Sequence, residues 1–332
     1  MPSAKRTNWG KKYPQIPVLD LLAVQKESWE KFLKTDLEET VRAIFPISDY
    51  TGNNWILELG ELFYDKVTTT PETARLKGLN YTVPVYAKAK LTNKRTGLVR
   101  EEDVFLLNLP TMTPEATFII NGIERGVINQ LVRSPGVYFT SEVDPATGKT
   151  LCNAEIRPVR GSWLEFFVGK KDVIFARIDR KKKVPATIIL RAAAALTDKQ
   201  LLAEFGDYIN TTITADPTKT QEEAYLEFYR KLRPGEPVVF ENAQKFFNDR
   251  FFDLRTYELG QVGRHKINKK FNFNFSDEDK ENWVLKKEDL IATIRHLIKL
   301  QKGEATHFDD IDSLANRRLR RCGEIVAQVA LR

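Results

Sequence analysis

Near the start of the chain, apolar residues recur at helical spacing. Val18, Leu21, Leu22, Trp29, Phe32 and Leu33 fall mostly on one face, and Pro17 ahead of them suits a first helical turn. Residues 1–16 read as a flexible basic arm. From Tyr81 the period changes to two. Tyr81, Val83, Val85, Ala87, Ala89 and Leu91 alternate with Thr82, Pro84, Lys88 and Lys90, which predicts a strand with one wet face. A turn at 93–97 and a strand over 104–109 follow. The apolar run 117–120 then meets Asn121-Gly122, a pair suited to a type I′ turn because both central residues need φ > 0. A second apolar run carries Arg125, Gln130 and Arg133 at wide spacing and ends in the turn Ser134-Pro135-Gly136. Such an element presents arginines, which points to phosphate contact more than to bond-making.

Residues 136–149 are rich in Pro, Gly, Asp and Ser and read as a domain boundary. Three strands are predicted beyond it, over 151–158, 163–168 and 173–178, with turns at Gly161 and 169–172. The pattern then becomes helical. The stretch 185–196 is alanine-rich. Thr197 with Gln200, and Thr220 with Glu223, have capping-box spacing, Gly206 suits a C′ position, and a helix over 287–301 stops at Gly303. After Arg320 the chain reads as the first turns of a helix with no C-cap. The expectation is a piece of something longer, with Ile325, Val326, Val329 and Leu331 left exposed. The fold class is α+β: a domain containing an antiparallel sheet, with a mixed α/β domain inserted into it.

Composition narrows the function classes. The chain has 332 residues, 42% hydrophobic and 11% aromatic, which is enough for two packed domains and excludes a disordered tail. Lys and Arg number 52 against 45 Asp and Glu, a formal charge of +7 that is compatible with nucleic acid without requiring it. Cys152 and Cys322 form no C-x-x-C, which argues against a disulfide framework or zinc finger and for a reducing compartment. The basic start has no apolar h-region. The longest apolar stretch, 187–196, is interrupted by Arg191, so it is no transmembrane helix.

Three constellations carry candidate chemistry. Arg160-Gly161-Ser162-Trp163 places an aromatic at a strand start beside an arginine; it reads either as a stacking platform for an unpaired base or as a core tryptophan at a strand edge. The run 309–318 mixes acids and arginines. It lacks the turn glycine and distal glutamate of an EF-hand, and its plainer reading is an acidic N-cap, with Asp312 or Ser313 starting the last helix. The basic run 180–183 is either a solvated face or a phosphate contact. His265, His296 and His307 have no nucleophile motif beside them, and no Walker A or G-x-G-x-x-G loop occurs.

Several of these runs together resemble one family, the β subunit of bacterial RNA polymerase in its N-terminal part. The residues that carry the resemblance are 118–125 and 130–139 (FIINGIER and QLVRSPGVYF), 160–166 (RGSWLEF), 233–237 (RPGEP), 251–264 and 309–318 (DDIDSLANRR). Ile123, Gly126, Ser313 and Ala315 depart from the family pattern. The resemblance implies a protrusion at 1–140 (arm 1–16 included), a lobe inserted at 141–312, and a return to the protrusion at 313–332. It implies one subunit of a cytoplasmic DNA-directed RNA polymerase, a nucleotidyltransferase, forming one wall of the DNA cleft. Implied DNA contacts are Arg133, Arg160, Trp163, Ile311, Asp312 and Arg317. Trp163 would stack on a non-template base, and Ile311, Asp312 and Arg317 would help hold a flipped guanine. Val137 would edge the rifamycin pocket, and 251–264 would form a loop facing the DNA channel. No cofactor is expected in this fragment, since the magnesium-binding aspartates belong to the other large subunit. Expected partners are β′, α, omega, sigma factor, DNA and the RNA–DNA hybrid, with no membrane. The alternatives are a free-standing single-strand-binding module and an inert scaffold fragment.

Overall fold

A computed structural model describes residues 19–330 and divides into two units, Met1–Gln130 with Leu319–Arg332, and Leu131–Arg318. The arm expected at 1–16, Pro17, Val18 and Leu331 lie outside the described residues.

In the first unit, helix α1 (Ala23–Lys31) passes through a π turn (Phe32–Asp36) into α2 (Leu37–Ile44). Trp29, Phe32 and Leu37 are all buried. The last two are five positions apart, and the wider π turn is what keeps both on one face. Strands β1 (Ile47–Ser48), β2 (Trp55–Tyr64), β3 (Thr82–Asn93) and β4 (Val99–Pro110) form an antiparallel sheet in that order, with α3 (Pro71–Lys77) between β2 and β3. The predicted alternation holds at Val83, Val85 and Ala87, which are buried; farther along, Leu91 is exposed. Strands β5 (Phe118–Ile120) and β6 (Ile123–Arg125) make the predicted hairpin, with Asn121 at φ 53° and Gly122 at φ 76°.

The core of this unit joins Trp29, Phe32 and Leu37 to Val83, Val85, Leu109, Phe118 and Cys322. Cys322 opens the last helix, Cys322–Ala330, which crosses α1 closely. The Gly323 N–H donates to Ser28 Oγ at 3.0 Å. A Cβ on Gly323 would stand 2.4 Å from the Ser28 carbonyl oxygen, so only glycine permits the crossing. Of the apolar positions expected to be exposed here, Val329 is exposed, whereas Val326 packs on the core and Ile325 is half-buried.

Strand β7 (Gln130–Arg133) leads to the second unit, whose sheet follows chain order: β8 (Gly136–Val143), β9 (Thr150–Arg157), β10 (Leu164–Val168), β11 (Ile174–Ile178) and β12 (Lys183–Pro185), all antiparallel. Alternate residues, among them Phe139, Ala154, Ile156, Phe166, Ala176 and Val184, face a core shared with seven helices: α4 (Ala186–Ala194), α5 (Asp198–Phe205), α6 (Asn210–Ala215), α7 (Gln221–Leu232), α8 (Phe240–Phe251), α9 (Gly260–Phe271) and α10 (Lys287–Lys302). Both capping boxes form, at Thr197 and Thr220. The Ser134 N–H donates to the Asn316 carbonyl at 2.9 Å, so the two ends of this long segment meet.

Three expectations are corrected. The stretch 136–149 does not mark the boundary, because its first four residues are buried in β8, and the units divide at Gln130 and Leu131. Ser313 does not start the last helix. It caps a 3-10 turn, Leu314–Asn316, and an extended segment, Arg317–Arg320, intervenes. The segment 251–264 is not one loop. Its last residues lie in α9, where Arg264 is fully buried; its Nη1 donates to Asp289 Oδ1 at 2.8 Å, and the Asn282 and Val284 carbonyls take the other donors. Desolvating both charges leaves neither able to stand alone.

Arg264→Ala is expected to cost about 3–5 kcal/mol in denaturant unfolding, and a paired Arg264→Met, Asp289→Leu replacement to recover most of it. Gly323→Ala is expected to cost about 1–3 kcal/mol by the same measurement, as overpacking against Ser28 and Phe32.

Candidate nucleic-acid interface

Strand alternation in the second unit sends one set of side chains to the core and the other to the opposite face. On that wet face the register sets Glu155 opposite Glu165, and Glu165 opposite Arg177. Like charges directly opposite repel. Arginines resolve the conflict. Arg133 reaches Glu155 at 3.3 Å and Arg157 reaches it at 2.8 Å. Arg177 and Arg180 reach Glu165 at 2.7 and 3.3 Å. Glu165 is only 5% exposed, so these partners are obligatory.

Three aromatic rings sit among the arginines. The Trp163 ring has the Arg157 guanidinium 4.2 Å from its centroid and that of Arg180 at 5.6 Å. Its backbone is fixed by Asp179, which accepts from the Trp163 N–H at 2.9 Å and donates its own N–H to the Trp163 carbonyl at 3.0 Å. Asp179 and Arg180 form the tip of the β11–β12 hairpin at φ 49° and 57°. Glycine usually occupies such positions in type I′ turns. Phe167 and Phe175 are stacked cross-strand partners, 5.7 Å between centroids, with Arg177 over the first and Lys183 over the second.

The segment 308–317 faces this surface. Asp309 ties it to β8: its carboxylate accepts from the Phe139 N–H at 2.7 Å and from Lys270 Nζ at 2.6 Å. Asp310 Oδ1 accepts from the Asp312 N–H, and its carbonyl from Asn316 Nδ2. Lys266 donates to the Ala315 carbonyl. Arg317 Nη2 donates to Asp312, whose carboxylate is otherwise exposed. Between segment and sheet lies an open cleft of about 880 Å³, lined by Arg133, Glu155, Glu165, Phe167, Arg177 and Arg180 on one side and by 308–312 on the other. Burial, and then the Arg157 charge, lower the pKa of Arg133 from the usual arginine value.

Arg133, Ile311 and Asp312 therefore share one cleft, Arg317 braces Asp312, and Trp163 joins them through Arg180, which both caps the ring and lines the cleft. Arg160 points elsewhere, donating to the Leu254 carbonyl at 2.9 Å and pairing with Glu258 at 3.2 Å. Val137 is 3% exposed with its side chain in the core, because β8 alternation turns it inward. Arg157 and Glu165 escaped the sequence reading, although period two along 151–157 places Arg157 on the wet face. Among the described residues no group of three His, Cys, Asp or Glu could hold a metal ion.

Chemically, the arrangement suits an unpaired nucleotide strand. A cation over an exposed ring contributes about 0.5–1 kcal/mol, whereas a base stacked on an aromatic contributes about 1–3 kcal/mol. Of the two contacts, a stacked base is the stronger. An exposed, braced carboxylate accepts from the donor edge of a base.

Residues 133–320 match the family RNA polymerase Rpb2, domain 2. The chain is also 39% identical over 315 residues, 94% of its length, to the DNA-directed RNA polymerase subunit beta of Gloeobacter violaceus. It spans 28% of the length of that relative. The chain belongs to the RNA polymerase β-subunit family and represents its N-terminal region.

The left-handed backbone at Arg180 yields a test that separates strain from charge. Arg180→Gly and Arg180→Ala both remove the guanidinium, but only glycine relieves the conformation. The glycine variant is expected to be the more stable of the two by about 1–2 kcal/mol in denaturant titrations.

Proposed function

We propose that this chain forms one wall of the DNA cleft in a cytoplasmic, multisubunit DNA-directed RNA polymerase and holds the displaced non-template strand. On this reading the first unit is the protrusion and the second the lobe. The observation that carries it is the position of Arg180, which covers Trp163 and lines the same cleft as Asp312. A stacking ring and a base-edge acceptor thus open on one side of one sheet. One unpaired base stacks at Trp163. A flipped guanine offers N1–H and N2–H₂ to the Asp312 carboxylate, which Arg317 orients, with Ile311 as its apolar neighbour. Arg133 meets phosphate. Nucleotidyl transfer itself would take place on magnesium held by the other large subunit, and β′, α, omega, sigma factor and the RNA–DNA hybrid complete the set of partners.

The cleft is built wholly from residues of the second unit, which also gives a free-standing single-strand-binding module some support. Strongly salt-dependent binding of a single-stranded oligonucleotide by the chain alone would favour that reading.

Asp312→Ala in the reconstituted polymerase is expected to weaken the preference for guanine at one non-template position by about 1–3 kcal/mol. Sequence-independent DNA binding should barely change. Competition between promoter bubbles differing only at that base measures it, and an unaltered preference removes Asp312 from base reading.

A further inference from the structure

Trp163 is not the only ring on the wet face. Phe167 lies four residues farther along the same chain segment and stacks on Phe175 of the neighbouring strand. Both rings are half-buried, Phe167 lines the cleft, and each carries a side-chain cation: Arg177 at 5.3 Å and Lys183 at 4.7 Å. We propose that the Phe167–Phe175 pair is a second stacking subsite for the same unpaired nucleic-acid strand, distinct from Trp163. The proposal rests on the reading of the cleft as a single-strand site and extends it.

Spacing separates the two subsites. Four residues of extended chain cover about 13 Å, whereas successive stacked bases stand about 3.4 Å apart. One base cannot touch both rings, and the strand between them spans several nucleotides. Charge fits the same path. Glu165, on the cleft floor between the rings, is satisfied by Arg177 and Arg180. The exposed residues Arg180, Lys181, Lys182 and Lys183 form a basic rim along the hairpin that carries Phe175. Bases therefore turn toward the rings and phosphates toward the rim. Lys183, exposed on that rim, is the cap that gives way to a base at the pair and moves to its phosphate, while Arg177 and Arg180 stay on Glu165.

The test uses reconstituted polymerase on a pre-melted promoter bubble, with 2-aminopurine moved position by position along the unpaired non-template strand. Stacking quenches the probe. Quenching is expected at one position that Trp163→Ala abolishes, and at another, several nucleotides away, that Phe167→Leu abolishes while leaving the first intact. Lys183 is exposed, so Lys183→Gln tests the site without disturbing the sheet; it should lower the salt slope of bubble binding by about 0.7. A Trp163-dependent position with no Phe167-dependent one, or with an unchanged slope for Lys183→Gln, overturns the second subsite and leaves the first standing. Loss of quenching at one shared position for both ring variants also overturns it. If neither variant alters quenching anywhere, the single-strand reading of the cleft falls as well.

Discussion

A carboxylate buried on the wet side of a sheet dictates the rest of the second unit. Glu165 is almost fully desolvated and lies across the strand from another acid, Glu155. Ionised, it needs cations at hydrogen-bonding distance, and Arg177 and Arg180 supply them. Arg133 and Arg157 do the same for Glu155. Once four guanidiniums are held against two carboxylates, they have little freedom, and their planes come to lie near the three rings that share the surface. Two acidic residues in the strands thus decide where the arginines stand. The arginines in turn decide which rings are capped.

Helix α9 shows how core and site are joined. Arg264 faces inward to Asp289, whereas Lys266 and Lys270, one turn apart, reach the carbonyls and carboxylate that fix the 308–317 segment. The same helix that completes the hydrophobic interior therefore also sets the position of Asp312. Precision at the site comes from this rigid support and not from the loop's own composition.

Much of this was legible in the chain. Period two announced β3 and β9–β11, Asn121-Gly122 announced a hairpin, and the pairs Thr197 with Gln200 and Thr220 with Glu223 announced two helix starts. Those signals are local, and local physics settles them. What escaped was decided by partners distant in sequence. Residues 136–149 look like a domain boundary by composition, but Val137 and Phe139 find a core shared with α9, α10 and β9. Arg264 looks like a surface arginine until Asp289 is placed beside it. Arg160 looks like the cation for Trp163 because it is near in sequence, yet Arg157 takes that place, since strand register and not proximity in the chain decides which side chains meet. Trp163 stood out by its own pattern, but the shared role of Trp163, Asp312 and Arg317 came from the resemblance; no spacing rule brings together residues some 150 positions apart.

The crossing of α1 by the last helix has a consequence for how the protein is made. Ser28 and Gly323 touch across 295 residues of sequence. At a bacterial pace of about 5–20 residues per second, roughly 15–60 s separate the appearance of one from that of the other. Throughout that interval Trp29 and Phe32 have left the ribosome while the helix that completes their core does not yet exist. The second unit, whose own ends already meet, can finish folding first. The first unit, begun before the second, is thus completed after it, and any factor that shields a nascent apolar helix would find its substrate there.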